Sequence, residues 1–149
     1  MEDVNNFMEA CGQTTETTRD LKNDKLVNFR MSLIDEEVGE LREALKNKDR
    51  TEVIDALADI LFVVYGAGVA FDIDLEKAFD IVYESNMSKF CSTEEEAQET
   101  VEYYLKNKKK LGYDSPAYRQ HGYIWVVYNK STGKILKSIN YTPAKFDGM

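Results

Sequence analysis

Apolar and polar positions alternate with a helical period over most of the first ninety residues. VNNFMEACG, Val4 to Gly12, reads as a short amphipathic helix stopped by Gly12, and the Thr-rich QTTETTRD after it reads as a loop. From Asp24, apolar residues recur at Leu26, Phe29, Leu33, Val38, Leu41 and Leu45, which predicts a long helix ending at the NKDR connection. A third helix is predicted from Thr51 to about Phe71, and a fourth from Asp74 as N-cap to about Phe90. Long helices joined by short connections predict an antiparallel bundle. Beyond Cys91 the pattern changes. STEEEAQETVEYYLKN predicts one more capped helix, and YIWVVYNKSTGKILKSINY, rich in β-branched and aromatic residues, predicts a hairpin turning near Gly133. The expected architecture is therefore mainly α: a helical bundle over residues 1–91, then a C-terminal helix, a short β-hairpin and a basic tail over residues 92–149.

The charged positions break this pattern in an informative way. On the second helix Glu37 falls inside the arc formed by Leu33, Leu41, Ala44 and Val38, with Glu40 at its edge and Glu36 and Glu43 just beyond. On the third, Glu52, Asp55 and Asp59 share a narrow stripe that Gly66 continues, while the rest of that helix is apolar nearly all round. Acids on a helix ordinarily form a solvated face. A carboxylate within an apolar face must instead be protonated, paired with a base or bound to a cation, because an isolated buried charge is too costly. Arg30, two turns before Glu37, is the one base near the apolar face. Oxygen-only donors favour Mg²⁺ or Mn²⁺, and the single histidine, His121, lies far away in the tail, which argues against a di-iron carboxylate bundle. On the fourth helix Asn86 and Lys89 extend the inward stripe with an amide and an ammonium, groups suited to phosphate oxygens.

Composition bounds the reading. A chain of 149 residues with 43% hydrophobic content can bury a core, and the net charge of −8 argues against bulk nucleic-acid affinity. That charge is uneven: Asp35 to Asp59 holds nine acids and four bases, whereas Val101 to Met149 holds three acids and nine bases. The two cysteines, Cys11 and Cys91, form no metal-ligand spacing and read as buried thiols of a reducing cytosol. The N-terminus lacks a signal-peptide pattern, and the run Ile60 to Phe71 is too short to span a bilayer, so a cytoplasmic protein without a membrane partner is expected.

EEVGE (Glu36 to Glu40), an acidic second motif leading into ADILFVVYGAG, and NMSK (Asn86 to Lys89) together resemble the all-α nucleoside triphosphate pyrophosphohydrolases, the superfamily of MazG-type and phosphoribosyl-ATP pyrophosphohydrolase-like enzymes. GKILKSINYTPAKF is similar to the basic ending of some members. The sequence departs from the family's ExxD motif: Ala56, not an acid, stands three residues before Asp59, whereas Glu52-Val-Ile-Asp55 satisfies the spacing one turn upstream. The resemblance implies Mg²⁺-dependent hydrolysis of a (d)NTP between the α- and β-phosphates, or of phosphoribosyl-ATP. It implies Glu37, Glu40, Asp55 and Asp59 as metal ligands and Glu36 as general base. Asn86, Lys89, Arg30 and the tail's Lys137 would hold phosphates, Phe7, Gln13 and Phe29 would line a base pocket, and the protein would form a homodimer or homotetramer. A noncatalytic helical module with a structural ion is the alternative from a different class.

Overall fold

The computed structural model describes residues 2–13 and 17–149; the central part of the Thr-rich segment, Thr14 to Glu16, lies outside the described residues. The chain divides into two compact units, Met1–Ala78 with Met149, and Phe79–Gly148. The sequence expectation drew this line after Cys91; the division falls within the fourth helix. Among the described residues there are six helices and one two-stranded antiparallel sheet.

In the first unit α1 (Glu2–Ala10) and α2 (Asp24–Asn47) both pack against α3 (Arg50–Ala70). Gly12, at φ +64°, ends α1, with the Gln13 amide donating back to the Met8 carbonyl at 3.0 Å. Asn23 caps α2 through a bond from the Leu26 amide at 3.1 Å. The α2–α3 connection is only Lys48 and Asp49. Lys48 closes α2 in the left-handed region at φ 56°, and the Asp49 carboxylate caps α3 by accepting from the Thr51 and Glu52 amides at 3.0 and 3.2 Å. So short a link makes the two helices antiparallel neighbours. Phe7 of α1 meets Phe62 of α3 edge to face, with centroids 5.2 Å apart.

By length and composition α3 would suffice to cross a membrane, with a mean hydropathy of 1.9 over its apolar window. This corrects the expectation that no segment is long enough. Asp55 and Asp59 would each cost several kcal/mol in hydrocarbon, and α3 is packed between α1 and α2. It is therefore read as the central helix of the bundle.

The second unit contains most of α4 (Leu75–Met87), then α5 (Glu94–Lys106), α6 (Lys108–Leu111), β1 (Pro116–His121) and β2 (Ile124–Asn129). Its own core joins Cys91, Ala97, Tyr104, Val127 and Leu136. Thr93 caps α5 through the Glu96 amide at 3.2 Å. The strands pair from Pro116–Asn129 to His121–Ile124. The turn is thus at Gly122 and Tyr123, not at Gly133. The run after Gly133 contributes only an isolated bridge, Tyr128 to Ile135. Asn129, 1% exposed, pins the loop before β1: its amide reaches Asp114, Ser131 and Thr132, and its carbonyl oxygen accepts from the Ser115 amide at 2.9 Å. Cys91 is fully buried and its thiol is pushed up by burial, as expected of an inert core thiol, but Cys11 is exposed.

Candidate active site

Three helices of the first unit line an open cavity of about 430 Å³. Each contributes one face at helical spacing: Val4, Phe7 and Met8 from α1, Arg30, Leu33 and Glu37 from α2, and Asp59, Phe62, Val63 and Gly66 from α3. Gln13 comes from the turn after α1. Of the stripe expected on α3, Asp59 and Gly66 line the same space as Glu37 and Arg30, whereas Glu52 and Asp55 are exposed outside that lining.

Glu37 is the focus of the charge. Its carboxyl is raised above the ordinary range by burial first, then by the negative charges of Glu40, Asp59, Glu36 and Asp55. Its Oε2 is buried without a hydrogen-bond partner. Glu36, Glu40 and Asp55 are exposed around it, and Asp59 is half-buried. Of the literal ExxD pair only Asp55 acts on Glu37; Ala56 is buried in the helix packing. Glu36, Glu40, Asp55 and Asp59 thus lie near enough to Glu37 for their charges to raise it.

The donor set fits a divalent cation in chemistry. It is all carboxylate, its members repel one another, and one oxygen is orphaned and buried. Among the described residues no three His, Cys, Asp or Glu side chains form a group that could hold a metal ion. Magnesium ordinarily takes one or two carboxylates and completes its shell with water and substrate phosphates, so a closed protein cage is not what such a site requires.

Arg30 is 3% exposed, lies at the other end of the α2 face from Glu37, and has no ion pair among the described residues. Its Nη2 donates to Gln13 Oε1 at 3.3 Å and approaches Met8 Sδ at 3.5 Å; its Nε is buried without a partner. Burial lowers the guanidinium from its ordinary value. Phe7 and Gln13 line the cavity as expected. Phe29 does not: it is largely exposed, with the Arg30 guanidinium 5.3 Å from its ring centre. Met8, Phe62 and Val63 were missed in the sequence, although their spacing from Phe7 and Asp59 carried the signal.

Asn86, Lys89 and Lys137 belong to the second unit, where they form a group of their own. The Lys89 ammonium donates to Asn86 Oδ1 at 2.6 Å, and Lys137 Nζ lies 4.2 Å from the centre of the Tyr141 ring. The Tyr141 phenol is lowered by its hydrogen bond with Ser85 and by the charges of Lys137 and Lys89. The Ser138 amide bonds the Lys89 carbonyl at 3.0 Å, which ties the tail to the NMSK turn.

Comparison with known proteins bears on the first unit and beyond. Residues 4–86 match the family model of phosphoribosyl-ATP pyrophosphohydrolase. The chain is also 27% identical, in an alignment that covers 78% of it and 80% of the relative, to Uncharacterized protein L479 of Acanthamoeba polyphaga mimivirus.

Proposed function

Because this chain belongs to the phosphoribosyl-ATP pyrophosphohydrolase family, we propose that it is a Mg²⁺-dependent nucleotide pyrophosphohydrolase that cleaves a (d)NTP between its α- and β-phosphates. The products are the monophosphate and pyrophosphate. The observation that carries this reading is Glu37: a carboxylate on the interhelical cavity, with a buried orphan oxygen and four acidic neighbours. Burial and the neighbouring acids both oppose its ionised form, and a cation that relieves them would also neutralise a polyphosphate substrate.

Glu37, Glu40, Asp55 and Asp59 would hold Mg²⁺, or Mn²⁺ in its place. The ion would supply neutralisation of the phosphate oxyanions and a template for in-line displacement. Glu36, exposed beside Glu37, is the group proposed to take the proton from the attacking water. Within the second unit, Asn86, Lys89 and Lys137 present one amide and two ammonium groups, chemically suited to phosphate oxygens. Arg30 is assigned to the substrate as well, being buried on the cavity with a donor to spare.

The family match gives equal support to a second substrate, phosphoribosyl-ATP, whose α–β anhydride is chemically the same bond. One experiment addresses both substrates: pyrophosphate release from a panel of NTPs, dNTPs and phosphoribosyl-ATP with Mg²⁺. Turnover of any of them supports the pyrophosphohydrolase reading, and the preferred one names the substrate. Absence of turnover throughout, with Mg²⁺ bound, would overturn it in favour of a noncatalytic metal-binding module.

A second copy of the chain is proposed as a further partner. Ile54, Leu57 and Leu61 form an apolar row on α3, exposed by 58%, 49% and 62%.

A further inference from the structure

The Arg30 end of the cavity has a polarity that decides what can bind there. A guanidinium carries donors only. Arg30 is 3% exposed, its Nε has no partner, and its Nη2 is engaged only by Gln13 Oε1 at 3.3 Å and Met8 Sδ at 3.5 Å. With the Gln13 oxygen turned to Arg30, the polar group that Gln13 leaves for a ligand is its NH₂, again a donor. Around these donors the walls are apolar: Val4, Phe7, Leu33, Phe62 and Val63. A flat apolar ring fits between such walls, and its polar edge must then present acceptors.

The same geometry argues against a phosphate at this end. A polyanion would have to be stripped of water among Met8, Phe7 and Phe62 to reach Arg30, whereas Glu37 and Asp59, about 10 Å further along the helix at 1.5 Å per residue, mark the end where a cation would draw phosphates. The cavity therefore has a base end and a phosphate end.

We propose that Arg30 and Gln13 recognise the nucleobase and select oxo bases, that is 6-oxopurines and 4-oxopyrimidines, over their amino counterparts adenine and cytosine. An exocyclic amino group at that edge would set its own N–H donors against those of Arg30 and leave the unpartnered Nε only a neighbouring ring nitrogen to reach. An exocyclic oxygen satisfies it. Gly66 belongs to the same device: a Cβ there would stand 3.2 Å from Arg30 Nη1, so the missing side chain leaves room for the guanidinium. This inference rests on the nucleotide reading above and narrows its substrate class.

The test is the ratio of kcat/KM for GTP over ATP and for UTP over CTP, measured with Mg²⁺. Each ratio is expected to be at least about tenfold for the unaltered protein. Gln13→Glu, which supplies Arg30 with an internal carboxylate, is expected to bring both ratios close to one while the melting temperature holds. Ratios at or below one in the unaltered protein, or ratios unchanged in folded Gln13→Glu, overturn the assignment; so does a preference for phosphoribosyl-ATP, whose base is an adenine. A second measurement needs neither variant nor turnover: the thermal shift given by GMP and UMP against AMP and CMP without metal. Larger shifts with the oxo bases support the assignment, and equal or reversed shifts overturn it. Loss of all turnover with an oxo-base shift retained would sink the proposed reaction and leave the base selection standing.

Discussion

Gly66 on α3 lies against Arg30 on α2 so closely that a Cβ added to it would come within 3.2 Å of Nη1 and 3.8 Å of Met8 Sδ. A glycine inside a 21-residue helix costs about 1 kcal/mol relative to alanine, so something must offset that cost. Gly66→Ala tests what. The helix gains propensity, while the guanidinium end must yield by a few tenths of an ångström. The two effects nearly cancel in stability, and the melting temperature is expected to stay within a few degrees. The cavity narrows at Arg30, so KM for the nucleotide is expected to rise about tenfold with kcat little changed. A KM equal to that of the unaltered protein would remove Gly66 from the site.

Glu37→Gln separates charge from shape. The amide keeps the volume but removes the negative charge at the centre of Glu36, Glu40, Asp55 and Asp59. Without metal the variant is expected to be as stable as the parent or slightly more so, by about 0.2–0.5 kcal/mol for each like-charge pair relieved. With Mg²⁺ and nucleotide it is expected to lose at least about a hundredfold in activity, since even outer-shell changes at metal sites cost 10–100-fold. Thermal melts in EDTA and pyrophosphate release with Mg²⁺ read the two arms. An inactive variant that also melts early would indicate a packing role instead.

The first unit was largely legible in the sequence because its signals are local. The 3.6-residue period and the inward position of Glu37 both follow from a single helix considered alone, whereas the Asp49 cap emerges only in the structure. Arg30 was legible as a base near the apolar face, but not its placement beside Gln13 and Met8. That depends on how the turn after α1 meets α2, a contact across 17 residues that no periodicity encodes. The hairpin failed for a related reason. Gly133 and Gly122 both carry turn signals, and Gly122 prevails because Tyr118 packs on Trp125 and the strand it begins joins the core at Val127. Tertiary packing decided between two equally good local turns.

In the second unit, acid should loosen the Asp114 network before it unfolds the rest. Hydrogen bonds from Ser131, Asn129 and Ser115 hold the Asp114 carboxyl at about 2, below its ordinary 3.8. The folded state thus takes up this proton less readily than the unfolded chain. The stabilisation is fully present above about pH 4 and is lost as the pH falls toward 2. Trp125, the single tryptophan, sits against this unit's core and reports on it. Its fluorescence is expected to show a transition in that window that Asp114→Asn reduces. Identical acid profiles for the two proteins would refute the role given to Asp114.

The apolar row on α3 yields the last expectation. Ile54, Leu57 and Leu61 recur at i, i+3 and i+7, the spacing of one helix face, and Leu45 on α2 is exposed to a similar degree. Glu52, Asp55 and Asp59 fall on the opposite side of α3 at 100° per residue, so an assembly formed through the row leaves the acids free of the seam. Association should then depend on the apolar row and not on divalent cations. Leu57→Glu with Leu61→Glu is expected to give a monomer by sedimentation at concentrations where the parent is a dimer or tetramer, and chelation is expected to leave the parent's assembly unchanged. A parent protein that sediments as a monomer with Mg²⁺ present would remove the second copy from the proposal and leave the row to some other partner.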